Sequence, residues 1–313
     1  MRLDVALIAQ HPGLSRRQAR EAIEKGQVTV GGRMVREPGT LVTQPGATIG
    51  FDPNRKALPR VRPTIPLLYE DDSVLIVDKP AGLLSVPTDP GAEHEETALG
   101  HVRAYITRLN PKRPYVGLVH RIDRDTSGAL VFAKSPESRQ ALIGLFSRHA
   151  IERRYTALVS GSPAADAGLV DAPIRDAYEG GRRAVAKGGE PSQPARTRWR
   201  VVERFTSAAL LEVTLETGRQ HQVRIHLAHI GLPVLGDSRY GRDEPGPKQV
   251  RAPRARVRLR RQMLHAGRLA FVHPLSGVKI EVRSPLPEDF VAALDALRAA
   301  SPKPARPTRP RRP

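Results

Sequence analysis

Apolar and polar positions recur along this chain with two different periods, and the changes of period mark out its elements. Leu3, Ala6, Leu7 and Ile8 make a helical stripe at the start. Ser15 is an N-cap candidate for a second helix, RRQAREAIEKG, whose apolar face is Ala19, Ala22 and Ile23. Arg16, Arg17, Arg20 and Lys25 lie mostly on its other side, and Gly26 ends it. QVTVGG then switches to strand alternation and runs into a Gly31-Gly32 hairpin turn, with LVT and ATIGF as later strands.

From Leu67 a longer series begins. SVLIV reads as a strand followed by an Asp78-Lys79-Pro80-Ala81-Gly82 turn, and LGHVRAYITRLN as a helix ending near Asn110. ALVFA (129–133) has the β-branched and aromatic content of a buried strand. Ser135 caps a helix to about Arg148, with Pro136 at its first position. In RRYTALVSG, Tyr155, Ala157 and Val159 share one strand face. TRWRVVERF and ALLEVTLE alternate as strands, and a helix begins near Gln220 or His221. MLHAGRLAFVHP and GVKIEVRSP form a last hairpin before an amphipathic helix in PEDFVAALDALRAA.

Between these lie stretches without period. Residues 53–66 are rich in Pro and Arg, as in a stiff linker. Residues 173–198 predict a long basic loop or β-arm, and 242–261 an arginine-dense loop. The tail carries Pro and basic residues without apolar periodicity and is expected to be disordered. The organisation expected is a small unit at 1–52, a linker at 53–66, a large domain at 67–298 and a tail at 299–313.

Composition narrows the function. Hydrophobic residues make up 39% of the 313, enough for a core, but aromatics are only 4%, so that core is mostly aliphatic. There is no cysteine, which excludes disulfides, thiolate metal sites and cysteine nucleophiles. The formal charge of +19 favours a polyanionic partner, nucleic acid before membrane. VALIA is too short for a signal peptide core, and no run approaches the roughly 18 apolar residues of a membrane helix. A cytoplasmic monomer is the expectation.

Two charged knots carry the candidate chemistry. LVHRIDRDTSGALVFAK (118–134) puts His120, Arg121, Asp123, Arg124 and Asp125 on a turn that leads into a strand. Such a cluster is also what a solvated salt bridge looks like. Lys79 reads as a phosphate ligand or as a turn cation. In TGRQHQVRIHLA (217–228), Arg219 near a helix N-terminus suits an anion. His221, His226 and His229 lack the i, i+4 spacing of a zinc helix, so no metal is expected. A hydrolase built on Ser127 with His120 or His221 lacks the Gly-x-Ser-x-Gly context of a nucleophile turn.

DKPAG (78–82), HRIDRDTSGALVFAK (120–134), RRYTALVSG (153–161), TGRQHQVRIHLAHIGLPVLGDSRYG (217–241) and LHAGRLAFVHPLSG (264–277) resemble, in order, the RluA-type family of RNA pseudouridine synthases. The first unit resembles the S4 RNA-binding domain through Arg2-Leu3-Asp4, Ser15-Arg16, Ala19-Arg20, Ile23, Gly26, Val28, Val30 and Gly32. Two departures stand out: Ile122 where the family usually has Leu, and the length and arginine density of 242–261. The resemblance implies an α+β fold, with a mixed, mainly antiparallel sheet in two halves, flanking helices and a central cleft. It implies catalysis by Asp123 without metal or cofactor, Arg224 as the paired cation and Tyr155 as the aromatic on the target base. Arg121 is similar to the residue that fills the space left by the flipped nucleotide. Arg219, Lys79, Arg16, Arg17 and Arg20 are the further RNA-binding candidates. Asp123 either attacks C1′ or takes the 2′ proton, and the sequence leaves both open. The substrate expected is large-subunit ribosomal RNA, with transfer RNA and a non-catalytic S4-type ribosome-assembly role as the alternatives.

Overall fold

The structure is a computed structural model that describes residues 1–35, 38–42, 48–55, 63–89, 95–176, 182–241, 249–251 and 256–301. The first unit packs helices α1 (Leu3–Gln10) and α2 (Arg16–Glu24) on strands β1 (Val28–Val30), β2 (Arg33–Met34) and β3 (Ile49–Phe51), in antiparallel order β2-β1-β3. Ser15 caps α2 as expected: its Oγ accepts from the Gln18 backbone N at 3.2 Å, and the Gln18 side chain accepts from Ser15 N at 2.9 Å. Leu3, Leu7, Ala19, Ala22, Ile23 and Val28 form its core. The expected LVT strand reduces to one bridge, Leu41 to Arg2, with Thr43 outside the described residues.

The second unit runs β4 (Leu67–Glu70), β5 (Val74–Lys79), α3 (Ala98–Leu109), β6 (Gly117–Leu118), β7 (Ser127–Ala133), α4 (Pro136–Ser147), β8 (Glu152–Ser160) and β9 (Ala167–Asp171). It continues through β10 (Ile174–Arg175), β11 (Ser192–Gln193), β12 (Arg196–Arg204), β13 (Ala208–Leu215) and α5 (Gln222–His229). It closes with β14 (Gln249–Arg251), β15 (Arg256–Arg258), β16 (Leu264–Val272), β17 (Lys279–Arg283) and α6 (Glu288–Ala300). Ten strands form one sheet in the order β4-β5-β7-β16-β8-β13-β12-β9, with β17 also on β16 and β6 also on β7.

Helices cover both faces of each half, which is why the central strands are apolar on both sides. In the first half Leu75, Val77, Leu130 and Phe132 face α3, while Val74, Ile76, Val131 and Ala133 face Leu142 of α4. In the second half Ala157, Val159, Leu211 and Val213 pack on Val223 and Leu227 of α5, whereas Leu158 and Leu210 pack on Phe290, Leu294 and Leu297 of α6.

The halves meet where β7 and β16 pair in parallel, Ser127 with His265 and Gly128 with Ala266. Gly128 sits at φ +117°, and a Cβ there would lie 2.4 Å from the Ala266 carbonyl oxygen. Only glycine permits that approach, which fixes the loop preceding β7 against the second half.

The 173–198 stretch is a β-arm, as expected, with β10 and β11 paired antiparallel; its residues 177–181 lie outside the described residues. The 242–261 stretch contributes the antiparallel pair β14–β15, with 242–248 and 252–255 outside the described residues. So do 56–62 of the expected linker and 302–313 of the expected tail.

Candidate active site

Asp123 lies on the loop between β6 and β7, and that loop is tied down from below. Ser85 Oγ donates to the Ile122 carbonyl at 2.7 Å and accepts from Ile122 N at 3.2 Å. Arg124 Nε donates to Gly82 O at 3.0 Å, and Gly82 N returns a bond to Arg124 O at 3.0 Å. The tightest anchor is Lys79. Its ammonium donates to Pro80 O at 2.9 Å, Leu83 O at 2.7 Å and Arg124 O at 2.8 Å.

The expectation that Lys79 contacts RNA is therefore corrected. The side chain is fully buried, and its three protons are committed to carbonyls. Burial pushes its pKa down to about 7, with Asp125 and Asp123 pulling it back up. Lys79 is a fastener for the Asp123 loop. Sequence reasoning weighed a phosphate ligand against a turn cation but had no signal for its depth.

Arg224, in the first turn of α5, joins two carboxylates. Its Nη1 donates to Asp123 Oδ2 at 2.9 Å, while Nε and Nη2 clamp Asp237 at 2.6 and 2.9 Å. Asp237 accepts in addition from Arg239 N at 2.9 Å and Tyr240 N at 3.0 Å. The side chains of Asp237 and Arg224 are 0% and 7% exposed, against 21% for Asp123, so the free carboxylate edge is the one facing the opening. Burial disfavours the Arg224 charge, but the bonds and field of Asp237, with Asp123 adding, hold its pKa above the ordinary value. Burial likewise opposes the Asp237 charge, and Arg224 overrides it downward.

Tyr240 and His221 complete this support. The Tyr240 ring lies 5.0 Å from the Arg224 guanidinium carbon, and its hydroxyl is 2.8 Å from His221 Nδ1. His221 Nε2 stands 3.9 Å from Asp123 Oδ1. His221 occupies the N-cap of α5 at φ +57°, a left-handed conformation costly for a non-glycine residue. Burial first, opposed by Asp123, lowers its pKa.

Asp123, Arg224, Tyr155, Arg121, Arg219 and His221 line one cavity of about 540 Å³. Tyr155 reaches it from β8. Burial, with Arg153 opposing and Asp123 adding, pushes its phenol up to about 12, so it stays protonated at neutral pH. Arg121 is exposed at the cavity, with no hydrogen bond or ion pair among the described residues. Arg219 donates from Nε to Pro194 O at 3.1 Å. Arg16, Arg17 and Arg20 do not line this cavity; they stand on α2 of the first unit. There Asp4, fully buried, pairs with Arg2 at 3.1 Å, Arg20 at 3.2 Å and Arg16 at 4.0 Å. Its hydrogen bond from Arg2, against burial and helped by Arg20, brings its pKa down to about 2.

The hydrolase alternative fails on geometry. Ser127 is buried, its Oγ 2.9 Å from His265 Nδ1, and His265 Nε2 is 3.1 Å from Ser284 O. His120 accepts at Nε2 from Val131 N at 3.0 Å, and burial pushes its pKa down to about 3, with Arg153 adding. His226 is held by Thr197 Oγ1 at 2.8 Å and by the Ala172 carbonyl at 2.9 Å. Sequence reasoning missed Asp237, Tyr240 and Arg153 as parts of the site. The available signal was that Asp237 and Tyr240 lie inside the GLPVLGDSRYG stretch and Arg153 opens RRYTALVSG, both quoted for the resemblance.

Residues 73–229 match the family described as RNA pseudouridylate synthase, and residues 1–49 match the S4 domain. The chain belongs to the RNA pseudouridylate synthase family, and its first unit is an S4 domain. Among its relatives is a protein named ribosomal large subunit pseudouridine synthase D from Nitrosomonas europaea, 45% identical over 74% of this chain and 65% of that one. A protein of the same name from Xanthomonas campestris is 37% identical over 96% of this chain and 90% of that one. An uncharacterized RNA pseudouridine synthase, YlyB of Bacillus subtilis, is 37% identical over 95% and 94%. Two solved structures share the fold: human RNA pseudouridylate synthase domain containing 4 (TM-score 0.59, 23% identity, 74% of this chain and 93% of that one) and domain containing 1 (0.55, 22%, 78% and 99%). Among the described residues no helix is long and apolar enough to cross a membrane.

Proposed function

We propose that this protein converts uridine to pseudouridine in large-subunit ribosomal RNA, with Asp123 as the residue that acts on the nucleoside. The observation that carries it is the Asp123 carboxylate, partly exposed at the cavity and bonded at 2.9 Å to an Arg224 that is itself locked on Asp237. Ribosomal RNA is favoured because relatives bearing that name match nearly the whole chain, S4 domain included.

The chemistry needs little else. The uracil must leave C1′ through N1, turn, and rejoin through C5, with no atom gained overall. A stacked base is out of reach, so the nucleotide flips out at a cost of a few kcal/mol. Arg121, exposed and unpaired at the mouth, offsets part of that by stacking in the vacated space. Tyr155 offers its ring to the flipped base and, as a neutral phenol, a proton donor. Asp123 attacks C1′ or takes the 2′ proton, and Arg224 directs its free oxygen in either case. The S4 domain and the basic surface add salt-sensitive affinity for the RNA backbone.

The test is tritium release from RNA carrying 5-tritiated uridine, using ribosomal and transfer RNA pools with wild type and Asp123→Ala. Release from large-subunit RNA by wild type alone is expected. Release confined to transfer RNA moves the substrate. Equal release by Asp123→Ala removes the proposed role of that residue.

A further inference from the structure

Arg153 has no place in the scheme above, and its situation is unusual. It stands on β8 two residues before Tyr155, so the two side chains leave the same face of the strand, about 7 Å apart along it. Both line the cavity with Asp123. The residue is 8% exposed and has no carboxylate partner among the described residues. Its Nε has no hydrogen-bond partner, and Nη2 makes only a long 3.4 Å contact to Leu215 O. Gly218 keeps room for it, since a Cβ there would lie 2.5 Å from Nη1. Phe146 walls another side, its ring centroid 5.7 Å from the guanidinium carbon. Burial lowers its pKa from the ordinary arginine value.

A buried cation without a carboxylate is costly, and the other buried arginines among the described residues avoid that cost. Arg224 is clamped by two aspartates, and Arg261 by Asp289. The cavity beside Arg153 is therefore where an anion belongs. Two sources offer one: an RNA phosphate, or the base itself. Phosphates keep their charge throughout and suit Arg121 at the exposed mouth. The base is neutral when it enters and charged only while detached, which suits a desolvated donor pre-aimed beside the stacking tyrosine.

We propose that Arg153 is a further catalytic residue, holding the negative charge of the departing uracil through one of its carbonyl oxygens. The step balances by either route of Asp123. The C1′–N1 bond breaks with its electron pair on the base, spreading charge over N1, O2 and O4. The base turns and its C5=C6 pair forms the C5–C1′ bond, either as the Asp123–C1′ ester bond breaks and returns the carboxylate or as Asp123 returns its proton to C2′ of the glycal; C5 then gives up its proton and N1 takes one. Arg153 exchanges no proton in this; it lowers the energy of the anion. The inference rests on the isomerase reading.

The test is single-turnover consumption of uridine and of 5-fluorouridine in otherwise identical RNA, with wild type, Arg153→Met and Arg153→Lys. Fluorine stabilises the uracil anion without help from the protein. Arg153→Met should slow uridine consumption by about 10²–10³-fold with RNA affinity nearly unchanged, and slow the fluorinated substrate by at least tenfold less. Arg153→Lys should lie between. An unchanged uridine rate overturns the proposal. So does an equal loss on both substrates with weakened binding, which marks a phosphate anchor. Should Arg153→Met not melt as a folded protein, Arg153→Lys is read by the same ratio. Wild type that consumes neither substrate in any RNA removes the isomerase reading instead, whereas a fully active Arg153→Met removes only this inference.

Discussion

The S4 domain and the cleft are each organised by one buried charge, and the signs are opposite. In the S4 domain a carboxylate, Asp4, is sealed inside and gathers Arg2, Arg20 and, at longer range, Arg16, whose side chains stay 44% to 66% exposed. In the cleft a guanidinium, Arg224, is sealed inside and gathers Asp237, which is buried, and Asp123, which is not. The same ion-pair chemistry thus presents cations outward in one place and a carboxylate inward to a cavity in the other. The first arrangement suits adhesion to a phosphate backbone, whose strength depends on how many cations are shown. The second suits chemistry, because a reacting oxygen gains from being held at one position. Burial of the organising residue is what makes each pair geometrically definite; exposed pairs alone contribute little.

Breaking the cleft cluster should cost most. Arg224→Met leaves Asp237 buried without its cation, so about 3–5 kcal/mol of stability should be lost in urea titration, and turnover with it. Arg224→Lys keeps the charge but cannot span both carboxylates, and its loss should be intermediate. Asp237→Asn keeps one acceptor for Arg224 and leaves the Asp123 contact in place. It should reduce single-turnover rate by about ten- to a hundredfold with RNA affinity unchanged.

The S4 cluster should respond in binding alone. Arg16→Gln, Arg17→Gln and Arg20→Gln together should flatten the salt dependence of log affinity by about 2 to 3 in slope, with the rate at saturating RNA within about twofold of wild type. A fall in saturated rate would mean the two clusters are not separable. The smallest effect is on pH. Asp4, near 2 in the fold against an ordinary 3.8, contributes stability that is present above about pH 4 and lost as pH falls through 2. Protection of α1 amides from hydrogen exchange should fall over that window in wild type and lose this component in Asp4→Asn.

Much of this was legible in the sequence because it is local. Ser15 and Ser135 are caps that need only the residues three positions on, and both form as expected. The alternation through Tyr155, Ala157 and Val159 is a property of one strand. Arg224 beside Asp123 followed from the family resemblance, not from spacing, since they stand 101 positions apart. What stayed hidden depends on depth. Lys79 looks like any turn lysine until Pro80, Leu83 and Arg124 close around it. Asp237 shows itself as the second half of a clamp only when α5 and the turn after it are folded together. Arg153 reads as an ordinary strand cation; its isolation appears when Leu215, Gly218 and Phe146 arrive from other elements.

The central claim is that one oxygen pair, presented by Arg224, is what acts on the nucleoside, while the basic surface of the S4 domain holds the RNA. Asp123→Asn tests it most directly, because the amide keeps the shape and removes the charge. With saturating enzyme and large-subunit RNA bearing 5-tritiated uridine, tritium release should fall by about 10⁴-fold or more while RNA affinity stays within about threefold of wild type. Release within about tenfold of wild type would contradict the account.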